Sequence, residues 1–149
     1  MSRRNLVITG ANGYIASLVA LYNADRFDIV PVTRADVDFA DPEAVRAHFS
    51  ALDFDLLLHT AAVAATALCE NDPEMTHRVN VESPIALAEV CRDKGARFLF
   101  ITTEQTFNAK TSGAPFAEDA EPESHSHYGR QKTEVDAWLA ASDVDHVTL

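Results

Sequence analysis

Short apolar runs alternate along this chain with stretches of helical spacing. Asn5–Gly10 (NLVITG) reads as a buried strand that runs into a glycine turn, and Tyr14–Ala24 then places its apolar residues at helical intervals. Asp28–Thr33 (DIVPVT) reads as a second strand, with Pro31 confining it to an edge or a bulge. Asp41-Pro42 marks a helix start, because the aspartate caps free amides and the proline pre-sets φ at the first helical position. A third strand follows in DLLLHTAA, and Asp72-Pro73 repeats the helix-start pair before a long helical region that Gly95 terminates after Lys94. Ser83-Pro84 inside that region predicts a kink or a short break. Arg97–Thr103 (RFLFITT) does not alternate and so reads as a strand buried on both faces. The Pro-, Ala-, acid- and Ser-rich stretch Glu104–Ser124 reads as a loop. His125 to about Ala141 reads as a helix, and DHVTL as the start of another strand. Strands alternating with helices predict an α/β fold: a Rossmann-like, doubly wound parallel sheet with helices on both faces.

Composition narrows the partners. At 149 residues the chain is one domain with room for a single core. Its formal charge of -11 argues against a nucleic-acid or anionic-membrane surface, since phosphate binding needs clustered Lys and Arg. No apolar run approaches the length of a membrane span. The run after Arg3-Arg4 is too short for a signal peptide. Two cysteines, Cys69 and Cys91, without a CxxC pair, read as free thiols in a reducing cytoplasm. The six histidines lack metal-ligand spacing, so no metal is expected.

The candidate chemistry sits where such sheets place ligands, at the carboxyl ends of strands. TGANGYIA sets Gly10 and Gly13 between the first strand and the first helix, with Ala16 where a third small residue lets the helix pack closely. Such a turn lets a pyrophosphate approach the backbone and meet the free amides of a helix N-terminus. The spacing G-x-x-G-x-x-A departs from G-x-G-x-x-G, and a plain tight turn would need the same small residues. The second strand ends in Thr33-Arg34 with no acid at its tip, which favours a 2′-phosphate and hence NADP(H), with NAD(H) as the alternative. Asp38 is a candidate for the adenine or an ordinary turn acid. The run TAAVAATA after the third strand leaves room for a ligand against the backbone. HYGRQK spaces Tyr128 and Lys132 four residues apart, on one face of a helix.

TGANGYIA, HTAA, RVNVESP, ITTEQTF and YGRQK, in this order, resemble the extended short-chain dehydrogenase/reductase family, and within it the dTDP-4-dehydrorhamnose reductase branch. The likeness runs from Leu6 to Leu149. It implies that Gly10, Asn12, Gly13 and the backbone through Tyr14 and Ile15 cradle the cofactor phosphates. It further implies that Asp38 and Phe39 meet the adenine, that Ala61, Ala62 and Val63 line its path, and that Asn80 supports the site. Thr103 matches the catalytic Ser/Thr position, with Thr102 beside it as an alternative and a cofactor contact. Tyr128 would be the acid, its phenol brought towards neutrality by Lys132, which would also hold the nicotinamide ribose.

The implied activity is NADPH-dependent reduction of a nucleotide-linked 4-keto-6-deoxysugar, in the cytoplasm. The alternatives are a cofactor-binding regulatory subunit and a sugar-nucleotide epimerase or dehydratase. Glu104-Gln105 stands where the branch carries Asp-Tyr, and VAATAL replaces polar substrate contacts after the third strand. His59 replaces a common Asn and reads as a strand-end residue. Family members are longer, with a C-terminal part that forms most of the sugar pocket. The chain is therefore expected to be an N-terminal cofactor domain, with a sheet edge that favours self-association, a homodimer included.

Overall fold

A computed structural model describes residues 3–111, 113–117 and 119–149. Five parallel strands, β1 (Arg4–Thr9), β2 (Phe27–Val32), β3 (Leu56–His59), β4 (Arg97–Phe100) and β5 (His146–Thr148), form one sheet in the order β2-β1-β3-β4-β5. The chain leaves β1 for β2 on one side and returns to β3 on the other, so the crossover direction reverses between β1 and β3. The expected doubly wound parallel sheet is thus present, with Pro31 on the edge strand β2.

Among the described residues six α-helices connect the strands: α1 (Tyr14–Asn23), α2 (Pro42–Ser50), α3 (Thr66–Asn71), α4 (Pro73–His77), α5 (Ser83–Lys94) and α6 (His127–Ala141). The local signals act as read. Asp41 accepts from the amides of Glu43 and Ala44, Asp72 from that of Met75, and Gly95 ends α5 in the left-handed region at φ 67°. The break near Pro84 lies one turn earlier. Arg78–Glu82 is a π-helical turn, and Pro84 follows directly after it in the first turn of α5, so the irregular turn stands where the proline interrupts the α-helical ladder.

Alternate strand residues feed two cores. Val7, Leu57, Phe98 and Phe100 pack under α2, α5 and α6 with Val45, Phe49, Leu87, Val135 and Leu139. Leu6, Ile8, Leu56 and Leu58 pack on the other face with Ala16 of α1. That second face corrects the expectation that β4 is buried on both sides. Leu99 is only partly buried, because α1 covers mainly β1 and β3. β4 also ends at Phe100, and Ile101–Thr103 continue as extended backbone into a 3-10 turn, Glu104–Phe107. The rest of the expected loop to residue 124 holds no regular element among the described residues; positions 112 and 118 lie outside them.

Candidate functional site

The reversal between β1 and β3 opens a cleft of about 960 Å³ at the carboxyl ends of the strands. Gly10 and Gly13 build its floor. Gly10 holds φ 65°, and a Cβ there would come within 2.9 Å of Thr60 Oγ1 and 3.0 Å of the Ala61 amide nitrogen. Gly13 caps α1 with no side chain bonded to the helix amides, so the first turn presents its N–H groups to the cleft side. Asn12, Tyr14 and Ile15 line the same end, Arg34, Asp38 and Phe39 the β2 side, and Ala61, Ala62 and Val63 the β3 side.

The turn is held from beneath by residues that sequence inspection passed over. Thr9 Oγ1 accepts from the amides of Thr60 (3.2 Å) and Ala61 (3.3 Å), and Thr60 Oγ1 donates to the Thr9 carbonyl at 2.7 Å. With its lone pairs occupied, Thr9 gives its hydroxyl proton to Nδ1 of the fully buried His59, 2.9 Å away. The signal for Thr9 and Thr60 was weak, since each is a polar residue at the end of an apolar run. Gly10→Ala is expected to destabilise the chain by about 1–2 kcal/mol from the left-handed backbone alone, and further through the collision with Thr60. Urea unfolding of the variant beside wild type measures it.

The tip of β2 differs from expectation. Asp36 folds back and accepts from both the amide and the hydroxyl of Thr33 at 2.8 Å, and these bonds hold its pKa below the ordinary carboxylate range. An acid therefore does sit at that tip, engaged with Thr33, while Arg34 stands exposed at the cleft.

The Tyr/Lys pair lies beyond the cleft wall. Lys132 is 3% exposed and donates to the carbonyl of Ile101, itself a lining residue, at 2.8 Å. Its Nζ stands 4.3 Å from the Phe100 ring centroid and 5.9 Å from that of Tyr128. Burial pulls Lys132 down to about 8, opposed by Asp136. Tyr128 moves the other way from the sequence expectation. Burial raises it, and Cys69 and Glu104 add to the rise, because the ammonium of Lys132 is spent on Ile101 rather than aimed at the phenol.

Thr103 caps the 3-10 turn by accepting from the Gln105 amide, and donates to Glu104 Oε2 at 3.2 Å. That turn presses against Tyr128's neighbour Gly129, where a Cβ would run into the Gln105 carbonyl and Ser124 Oγ. Thr102, the alternative to Thr103, points elsewhere: its hydroxyl goes to Asp136, and it does not line the cleft. Asn80, in the π-helical turn, binds both the amide and the carbonyl of Val63 and reaches Gln131 at 2.8 Å, so it supports the cleft wall from behind. Lys132 and Asn80 thus reach the cleft wall through Ile101 and Val63, and none of Thr103, Tyr128, Lys132 and Asn80 lines the cleft. Both thiols are buried and free. Among the described residues no helix is long and apolar enough to cross a membrane.

The sequence profile described as "RmlD substrate binding domain" matches residues 4–149. The chain belongs to that family. It is 29% identical over 143 residues to a dTDP-4-dehydrorhamnose reductase of Mycolicibacterium smegmatis, covering 95% of this chain and 43% of that protein. It is 32% identical over 139 residues to a probable low-salt glycan biosynthesis reductase of Haloferax volcanii, covering 84% of this chain and 45% of the other. The chain therefore spans a little under half the length of these curated relatives. Its fold matches that of a dTDP-4-dehydrorhamnose reductase from Bacillus anthracis solved in complex with NADP, with a TM-score of 0.89 at 19% identity over 99% of this chain and 53% of that one.

Proposed function

We propose that this chain is the cofactor-binding part of an NADP(H)-dependent reductase that acts on the 4-keto group of a nucleotide-linked 6-deoxysugar. The observation that carries this reading is the cleft at the strand switch point, floored by Gly10 and Gly13 and lined by Ile101, which accepts from Lys132 of α6 and lies two residues before Thr103. The cradle fits a dinucleotide: a side chain is excluded at Gly10, a Cβ at Gly13 would sit tight against the Gly10 carbonyl, and the helix amides face the space where phosphates would lie. Gly10, Asn12, Gly13, Tyr14 and Ile15 would hold the phosphates, Arg34 a 2′-phosphate, Asp38 and Phe39 the adenine, and Ala61–Val63 the path between. The bound cofactor would supply hydride to the sugar carbonyl. Tyr128 holds the proton that the carbonyl oxygen needs. Lys132 keeps a positive charge beside the phenol, and Thr103 offers a hydroxyl to the same oxygen. The two relatives named above are called reductases, and the Bacillus anthracis protein was solved with NADP; both names support the assignment.

One observation favours a second reading, a non-catalytic regulatory subunit. The Thr103 hydroxyl is donated to Glu104, the residue that also raises the Tyr128 phenol. Titration with NADPH and with NADH, followed by energy transfer from Trp138, bears on the cofactor that either reading requires. Saturable binding, tighter for NADPH, is expected, and Arg34→Ala should erase that preference by weakening NADPH alone. Equal affinities in wild type, or an equal loss for both cofactors in Arg34→Ala, would count against the role given to Arg34. Oxidation of NADPH by a nucleotide-linked ketosugar then separates the reductase from the regulatory subunit.

A further inference from the structure

Tyr128, Lys132 and Asp136 follow one another at four-residue steps on α6, so they share one helix face. That face meets the extended backbone beyond β4 through two side-chain bonds. Lys132 Nζ donates to the Ile101 carbonyl at 2.8 Å, and Thr102 Oγ1 donates to Asp136 Oδ2 at 2.6 Å. The Thr102 amide is tied to the Leu149 carbonyl at 2.8 Å, which fixes that hydroxyl from the strand side. The other Asp136 oxygen, Oδ1, is buried with no hydrogen-bond partner among the described residues. A half-satisfied buried carboxylate is costly, and an apolar residue would pack this position at lower cost. The buried ammonium of Lys132, one helical turn away on the same face, gives the carboxylate an electrostatic counterpart.

We infer that Asp136 is a positioning residue for the Tyr128–Lys132 pair: held in place by Thr102, its carboxylate keeps Lys132 charged inside the protein. This inference rests on the reductase reading for its catalytic meaning, but the coupling itself belongs to the folded chain. Burial and Asp136 act on Lys132 in opposite directions, and the balance lies at about 8. Other titratable groups facing the pair include Cys69 of α3 and Glu104 of the 3-10 turn, both of which act on the Tyr128 phenol. From α6 comes Tyr128, whose phenol burial holds protonated. From β3 comes His59, held down to about 3 and hence neutral where Lys132 titrates. From β5 comes His146, which faces Asp136. Asp136 is thus the one carboxylate among the groups acting on the ammonium, and its loss leaves burial unopposed.

The chain has three lysines, Lys94, Lys110 and Lys132, so the Cε resonances of carbon-labelled lysine give each titration separately. Wild-type Lys132 is expected to titrate near 8. In Asp136→Asn, which keeps an acceptor for Thr102 but removes the charge, the Lys132 midpoint should fall by about one unit. Asp136→Glu, which restores the charge, should return it towards the wild-type value. A folded Asp136→Asn whose Lys132 midpoint is unchanged overturns the inference; so does an Asp136→Glu that behaves like the amide. Failure of the reductase reading is told apart by a separate result. If Lys132 shifts as expected but Tyr128→Phe turns over at the wild-type rate, the coupling stands and the catalytic role falls.

Discussion

Tyr128→Phe is expected to lower ketosugar reduction by about 10²–10⁴-fold, the range associated with losing a general acid. The substitution removes one oxygen and leaves the buried ring in place, so the fold and NADPH affinity should hardly change. The argument depends on which form of Tyr128 the protein maintains. Burial, Cys69 and Glu104 all favour the phenol over the phenolate, so at neutral pH the side chain enters the reaction carrying its proton. Reduction of a carbonyl requires that proton on the developing alkoxide. On the proposed reading the phenolate left behind would draw on Lys132, whose Nζ lies 5.9 Å from the Tyr128 ring centroid and would have to turn from the Ile101 carbonyl towards it. The measurement is the loss of reduced-nicotinamide absorbance on mixing with a nucleotide-linked ketosugar, in this chain or a longer one that contains it. NADPH titration of the same variant completes the test. A variant that has lost cofactor binding while still folded would show that Tyr128 serves the cofactor rather than the proton.

Much of the architecture was legible because its signals are local. Asp41-Pro42, Asp72-Pro73 and Gly95 each act within one helical turn, so their consequences do not depend on the rest of the fold. The glycine turn was legible for a related reason, since only a residue without Cβ fits the approach of Gly10 to Thr60 and Ala61. The features that escaped depend on tertiary placement. Apolar content alone does not show that α1 stops short of Leu99, because covering a strand is a property of the helix above it. Asp36 looks like a loop acid until the chain bends it back onto Thr33. Four-residue spacing put Tyr128 and Lys132 on one face, yet the ammonium chose the Ile101 carbonyl, which no helical rule could anticipate. Asp136 was within reach of the same spacing argument, one step further along, but its bond to Thr102 becomes visible only once β4 and α6 lie side by side.

The second large effect is expected in acid, and it arises from His59. The ring is fully buried, stacked at 6.1 Å and 8° against Phe100, with Nδ1 accepting the Thr9 proton and Nε2 left without a partner among the described residues. Burial, with Lys132 nearby, lowers its pKa from 6.5 to about 3. As pH falls through 6.5 the unfolded chain takes up a proton on this side chain, whereas the folded chain refuses it until about pH 3. Across that window the unfolded state binds more protons, so stability must fall with falling pH. The contribution is fully present above pH 6.5 and lost progressively towards 3, at a total on the order of 5 kcal/mol. His59→Asn removes the titration while keeping an acceptor for Thr9. It should lower stability somewhat at neutral pH, by the packing lost against Phe98 and Phe100, yet flatten the acid slope. Urea midpoints of both proteins from neutrality down to about pH 4 should therefore converge. Parallel curves would show that His59 is not the acid-sensitive group. Because His59 holds Thr9, and Thr9 holds the Thr60–Ala61 amides beside Gly10, the cleft floor should loosen with the same midpoint as His59 protonation.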